Sequence, residues 1–391
     1  MRNNVTNLKR IILSAAIFFV ISSLMAPWYI DLIAVLLIIV ISIYVKPSNV
    51  ILILFSFVWS VMVIEVTVRY QDLLQPNDFR ANERWATKER RYVPAVRDST
   101  GILHGDLVAL DSKADAIAQP RAQTFNTDSM GYRNDREYHH GDLVLVGDSF
   151  VAGVGSDQSD TISNVLSLEL NRPAYNLGFP GPPSDYLIRA QDFISRTGNT
   201  SKFVLFVFEG NDFSSFNEYN EKTYGYQGKK LIFFQRLFSS LVYPRAMFYL
   251  VQRVPMYFSG PKVELYDINN ETVGFFKDYI FSATDIKVFY DVAPHDLLMD
   301  KFSCIVFIPT KYRVYKPWLD DGRSLPEPAP AFEALRDYYE KSAATIIDLT
   351  PVFRRAAQTA LTEEELLYWR DDTHWNGRGA RVAARAVERC F

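Results

Sequence analysis

Between residues 11 and 68 the 391-residue chain carries only three formal charges, Asp31, Lys46 and Glu65. They divide the stretch into three apolar runs, at about 11–29, about 28 or 32 to 45, and about 50–68. A bilayer crossing needs about 20 apolar residues, so each run is predicted to be a membrane helix, the middle one being the shortest. Pro27 with Trp28 and Tyr29 marks the first break, and Lys46-Pro47-Ser48-Asn49 marks the second. Arg2, Lys9 and Arg10 precede the first run. Positive charge is retained on the cytoplasmic side, so the N-terminus is expected there and the chain from about Arg69 onward on the periplasmic side of the inner (plasma) membrane. A cleavable leader competes as a reading of the first run, but no small-residue cleavage site is followed by polar sequence. Glu65 lies within a turn of the expected outer end and is read as reaching the interface. The expected organisation is a membrane anchor at 1–68, a linker and N-terminal extension at 69–140, and a hydrolase-like domain at 141–391 with an insertion at about 213–301.

The 42 Lys+Arg against 45 Asp+Glu leave a net charge of -3, which excludes a strongly basic nucleic-acid binder. With 48% hydrophobic residues, 18 Gly and 19 Pro, the chain is neither disordered nor fibrous. Cys304 and Cys390 are too few for a disulfide scaffold or a cysteine zinc site. Cys304 opens an apolar run and is expected to be a buried free thiol rather than paired with Cys390. No metal-ligand spacing occurs, and no cofactor is expected.

After about residue 120, short runs rich in Val, Ile, Leu and Phe alternate with longer helical patterns. The runs are 143–146, 174–177, 203–208, 304–308 and 345–349. Near-continuous apolarity implies strands buried on both faces, hence a parallel α/β sheet. Helical patterns fall at about 161–170, 184–196, 332–342 and 379–390, and Thr362-Glu363-Glu364-Glu365 reads as a capping box opening a short helix that ends near Trp369. The insertion contains an aromatic run at 231–258 punctuated by Arg236, Arg245 and Arg253. It is read as a lid, a membrane-surface contact or part of a cap subdomain.

In a doubly wound sheet, ligands bind beyond the carboxyl ends of the strands, so the polar residues there carry the functional reading. Gly147-Asp148-Ser149 follows the first strand, where a serine at a strand-to-helix turn is either a nucleophile or an ordinary N-cap. Asn176-Leu177-Gly178-Phe179-Pro180-Gly181 follows the second and Glu209-Gly210-Asn211-Asp212 the third. Glycine N–H groups and an asparagine amide are donors suited to a developing oxyanion. Arg370-Asp371-Asp372-Thr373-His374-Trp375 precedes the last helix. Serine needs a base, histidine has the pKa for it, and a carboxylate fixes the histidine's tautomer. Among the five histidines, only His374 follows the last strand with an acid within three residues.

These four blocks, in this order, resemble the SGNH/GDSL hydrolases over about residues 143–391. The resemblance implies a flavodoxin-like three-layer fold, Ser149 as nucleophile, His374 as base, and oxyanion donors from the Ser149 N–H, from Gly181 or Gly178, and from the Asn211 side chain. The triad acid is Asp371 or Asp372, and the Asp-x-His-Trp pattern favours Asp372. That pattern resembles the extracytoplasmic alginate O-acetyltransferase-type proteins. Glu209 stands where the family's third block usually has glycine. Asp148 and Asp212 are read as acceptors for loop backbone rather than as catalytic groups. Lys311, Tyr312 and Arg313 follow the fourth strand and are expected to border the cleft, contacting an anionic saccharide or forming a solvated loop.

The expected function is that of a membrane-anchored serine esterase or O-acyltransferase, with acetyl as the expected acyl group, working on an envelope or secreted polysaccharide. A non-catalytic polysaccharide-binding or assembly subunit is the alternative. Three membrane helices are too few to carry an acyl group across a bilayer, so transfer would call for a polytopic membrane acyltransferase partner.

Overall fold

A computed structural model of the chain describes residues 91–198, 202–213, 261–284 and 301–391. The three expected membrane runs and the aromatic run at 231–258 lie outside the described residues. Among the described residues no helix is long and apolar enough to cross a membrane.

In chain order, strand β1 (Ser99–Leu103), helix α1 (Asp106–Leu110), a 3-10 turn (Ser112–Ile117) and β2 (Arg121–Phe125) come first. Then follow β3 (Leu143–Val146), α2 (Ser149–Ala152), α3 (Ile162–Asn164) continued by a π-helical turn (Val165–Glu169), β4 (Ala174–Asn176), α4 (Pro183–Thr197) and β5 (Phe203–Phe208). The hairpin β6 (Val263–Ile268) and β7 (Glu271–Phe276) leads into α5 (Lys277–Thr284). The chain closes with β8 (Phe302–Ile308), α6 (Lys311–Tyr315), α7 (Pro330–Tyr339), β9 (Thr345–Asp348), α8 (Thr350–Thr362) and α9 (Gly377–Val387).

The central sheet has the order β4-β3-β5-β8-β9, and each neighbouring pair is parallel. The chain therefore winds outward from β3 in one direction and then in the other, the flavodoxin-like order. Its switch point lies between β3 and β5, where the crevice beyond the strand ends opens. The apolar runs that predict strands match the sheet because its inner strands are covered on both sides: every residue of β3 and β5 is buried. Alternate side chains feed two cores. Leu145, Phe206 and Val306 pack with Phe353 and Ala383 from α8 and α9. Val146, Val207 and Phe307 pack with Phe193 and Leu335 from α4 and α7. Burying each such side chain contributes about 1.5–3 kcal/mol.

Two expectations are corrected. The helix expected to start at Thr362 is absent, because Thr362 is the last residue of α8. The N–H groups of Glu363, Glu364 and Glu365 bond back to the carbonyls of Ala360 and Leu361, so they close one helix instead of opening another. The buried stripe Phe353, Ala357, Ala360 and Leu361 drives α8. Cys304 is not a free thiol: it is bonded to Cys390, 86 residues on, with Cα atoms 5.7 Å apart. Both cysteines belong to the same buried core, which brings the last turn of the chain against β8. The described part of the insertion packs on the body of the domain. Val273, Phe275 and Ile280 enter the main core, and the Asp111 carboxylate accepts from the N–H groups of Lys262 and Val263 at 2.7 and 3.0 Å.

Residues 91–140, expected as an extension, are part of the body. Tyr92 and Phe125 pack with Phe179, and Leu107 and Ile117 pack with Val263. Closing an 86-residue loop restricts the unfolded chain. Cys390→Ser is expected to cost about 2–4 kcal/mol. The check is thermal unfolding under oxidising conditions, where the wild type melts higher than the variant, compared with reducing conditions, where the gap closes.

Candidate active site

Ser149 is the first residue of α2, a four-residue helix held at both ends. The Asp148 carboxylate caps it by accepting from the Phe150 N–H at 2.9 Å, and Gly153 ends it in the left-handed region at φ 73°. Helix-start N–H groups have no partner within their own helix, so the Ser149 N–H is directed beyond the end of β3.

His374 lies on the turn between α8 and α9. Asn376 caps α9, its side chain accepting from the N–H groups of Arg378 and Gly379. Trp375 is buried between Phe150 and Phe353, with ring centroids 4.8 and 5.8 Å away. These anchors bring His374 Nε2 to 2.8 Å from Ser149 Oγ. On the other side of the ring, Nδ1 is 2.7 Å from Asp372 Oδ1, which also accepts from the His374 backbone N–H at 3.0 Å. Of the two acids considered, Asp372 faces the histidine. Asp371 faces away, its Oδ2 accepting from the N–H groups of Gly105 and Gln119 at 3.0 and 2.8 Å.

Arg121 of β2 bridges the pair, with Nη1 3.0 Å from Asp371 Oδ1 and Nη2 2.7 Å from Asp372 Oδ2. Its Nε donates to Gly155 O at 2.9 Å, and its guanidinium lies 4.3 Å over the Trp369 ring. Burial opposes ionisation of Asp372, but the charges of His374 and Arg121 hold it down to about 2. Burial alone would lower the pKa of His374, yet the Asp372 charge and hydrogen bond raise it above the ordinary histidine value.

A second carboxylate stands nearby. Asp106, at the start of α1, has Oδ2 3.6 Å from His374 Nδ1, and burial, followed by the Asp372 charge, pushes it up to about 7. Asp106 and Arg121 lie in the stretch read as an extension, and no motif marks them. Asp106, Asp372 and His374 hold possible ligand atoms within 4.8 Å of one another. Two of those atoms, Asp372 Oδ1 and His374 Nδ1, are already hydrogen-bonded to each other, and Asp106 is hydrogen-bonded to Thr373 instead.

The neighbouring acids support the loops. Asp212 accepts from Tyr186 OH at 2.5 Å and from the Phe208 N–H at 2.7 Å, and burial raises both Asp148 and Asp212. Among the oxyanion candidates, Asn211 is exposed just after β5. Gly178 does not fit that role: its N–H donates to Asn176 Oδ1 at 2.8 Å. A Cβ on Gly178 would lie 2.4 Å from Ala152 N, so this glycine serves the close approach of its loop to α2. Gly181 stays the candidate from that loop.

Lys311, Tyr312 and Arg313 do not border a cleft as expected, because the short helix α6 turns them inward and buries all three. Lys311 Nζ lies 2.7–3.1 Å from four backbone carbonyls, those of Gly274, Trp369, Arg370 and Asp372. Burial lowers this lysine to about 7. Tyr312 OH donates to Asp321. Arg313 Nε is 2.6 Å from Glu209 Oε1, with both side chains fully buried. Glu209 Oε2 accepts from the N–H and hydroxyl of Thr310 at 2.9 and 3.0 Å. Glu209 therefore has a structural partner: it ties the end of β5 to the turn after β8. Burial raises its pKa against the opposing charge of Arg313.

The family model for the SGNH hydrolase-like domain of acetyltransferase AlgX matches residues 303–390. The match covers less than a quarter of the chain, from β8 through α9, and includes Asp372 and His374 but not Ser149. A search of the curated proteins finds no match. The α/β fold with its parallel five-stranded sheet fits an SGNH-like domain.

Removing one partner of a buried ion pair strands the other charge, at about 3–5 kcal/mol. Glu209→Ala is expected to destabilise the protein by that amount in denaturant unfolding. Glu327→Ala, which removes the half-exposed partner of Arg354 and Arg313, is expected to cost about 1 kcal/mol or less.

Proposed function

We propose that this protein is a serine-dependent acyl-ester hydrolase or O-acyltransferase of SGNH type, and that its acyl group is acetyl. The observation that carries the reading is the row of contacts from Ser149 Oγ through the His374 ring to Asp372. His374 Nε2 takes the Ser149 proton as Oγ attacks the ester carbonyl carbon, and the carbonyl electrons move onto oxygen. The Ser149 N–H, the Gly181 N–H and the Asn211 amide are the donors assigned to that oxyanion. Collapse expels the alcohol, which leaves with the proton from His374, and gives an acyl-Ser149 enzyme. Water or a sugar hydroxyl then enters by the same steps in reverse, His374 again acting as base. Asp372 stays ionised and orients the imidazole.

The acetyltransferase description of the matched family favours transfer over hydrolysis, and in this reading the acceptor is an envelope or secreted polysaccharide. In this reading the three apolar runs before Arg69 anchor the protein in the inner membrane with the domain in the periplasm. A polytopic membrane acyltransferase supplies the acyl group. The Cys304–Cys390 bond suits an oxidising compartment.

The test is p-nitrophenyl acetate cleavage by the full chain, with mass spectrometry of the Ser149 peptide to detect the acyl adduct. Ser149→Ala is expected to abolish both signals. Asp372→Asn is expected to lower the rate about 1,000- to 10,000-fold, and Asp371→Asn by a smaller factor because the histidine keeps its partner. Equal rates for wild type and Ser149→Ala would overturn the serine mechanism for that substrate and favour a binding or assembly role. The base must be neutral to act and its pKa is raised. The rate is therefore expected to climb with pH through a midpoint above about 6.5, the ordinary histidine value.

A further inference from the structure

We propose that Asp106, brought in by the segment preceding the sheet, is a positioning residue for His374: a second carboxylate that stabilises the imidazolium formed when Ser149 gives up its proton. The inference rests on the acyl-transfer reading of Ser149 and His374. Two carboxylates face His374 Nδ1, Asp372 Oδ1 at 2.7 Å and Asp106 Oδ2 at 3.6 Å. The second is held in place. The Thr373 N–H donates to Asp106 Oδ1 at 2.8 Å, and the Thr373 hydroxyl donates to Oδ2. The backbone around it is pinned to the histidine's own turn: Gly105 N–H donates to Asp371 Oδ2 at 3.0 Å, and Leu107 N–H donates to Asp371 O at 3.2 Å. The approach is so close that a Cβ on Gly105 would lie 1.7 Å from Asp371 O. Glycine at this position is what lets Asp106 reach the histidine.

The charges around the pair define its behaviour. His374 faces the carboxylates of Asp372, Asp106 and Asp148. Lys311 of α6 and Arg121 of β2 supply the positive charge on the Asp371 and Asp372 side. Tyr279 of α5 is a further titratable group facing Asp106, which helps keep the phenol neutral. Burial pushes the Asp106 carboxyl up to about 7. Carboxyl and imidazole therefore titrate as an interacting pair, each charge favouring the other. In the reaction the proton moves only from Ser149 Oγ to His374 Nε2, while the Oγ–H bonding pair stays on Oγ and makes the bond to carbon. Asp106 takes no proton in that step. Its negative charge favours the new cation through space.

The experiment follows the pH dependence of His374 carbethoxylation by diethyl pyrocarbonate in the full chain. The neutral imidazole is the reactive form, and peptide mass spectrometry reads the product. Steady-state cleavage of p-nitrophenyl acetate is measured alongside. Asp106→Asn keeps the shape and removes the charge, so the His374 midpoint is expected to fall by about one pH unit. The rising limb of the rate profile is expected to move with it, with kcat reduced several-fold at little change in KM. Asp106→Glu is expected to keep the midpoint near that of the wild type. Equal His374 midpoints in wild type and Asp106→Asn overturn the proposal, whatever the rates. A lowered midpoint in a protein whose wild type cleaves no ester upholds the coupling of Asp106 to His374 and removes the acyl-transfer reading instead. Where a thermal melt shows that Asp106→Asn does not fold, Asp106→Ser removes the same charge and is read by the same criterion.

Discussion

Two adjacent carboxylates, Asp371 and Asp372, are buried side by side, and one guanidinium bridges them. Two buried negative charges this close repel each other, and a cation between them offsets that repulsion. Arg121 meets both through its two terminal nitrogens, a geometry that lysine lacks. Lys311 supports the same turn from beneath by drawing the carbonyls of Trp369, Arg370 and Asp372 toward one ammonium group. With the turn fixed, the imidazole has one orientation, its Nε2 toward Ser149.

The turn is also where the molecule's separate segments meet. β2 contributes Arg121, α1 contributes Asp106, β7 contributes the Gly274 carbonyl to Lys311, and α6 contributes Lys311 itself. Glu209 and Arg313 perform a parallel service one strand away, joining the end of β5 to the turn after β8. A glycine in place of Glu209 would leave Arg313 buried without its carboxylate. The charged residue in that block is therefore part of how the strand ends are spaced.

What the sequence makes legible divides by the range of the forces involved. The strands are legible because burial on both faces writes an unbroken apolar run, as at Phe203–Phe208. Ser149, His374 and Asp372 are legible because their chemistry demands particular side chains at the ends of such runs. α8 is not, since its buried stripe includes two alanines and its last residue imitates a helix start. Lys311 and Arg313 mislead because charge after a strand suggests solvent, whereas here backbone carbonyls and Glu209 take the place of water. Asp106 and Arg121 leave no local trace at all. Their partners lie about 250 or more residues ahead, and only the folded chain brings them together.

The bond between Cys304 and Cys390 makes a covalent ring of the chain from β8 to its last turn. His374 and Asp372 lie inside that ring, and Ser149 lies outside it. A protease that cuts the exposed stretch around Arg323 and Ser324 would therefore release nothing. The two pieces stay linked through sulfur, the cut shows only after reduction, and the histidine's turn remains threaded to the sheet by both of its ends.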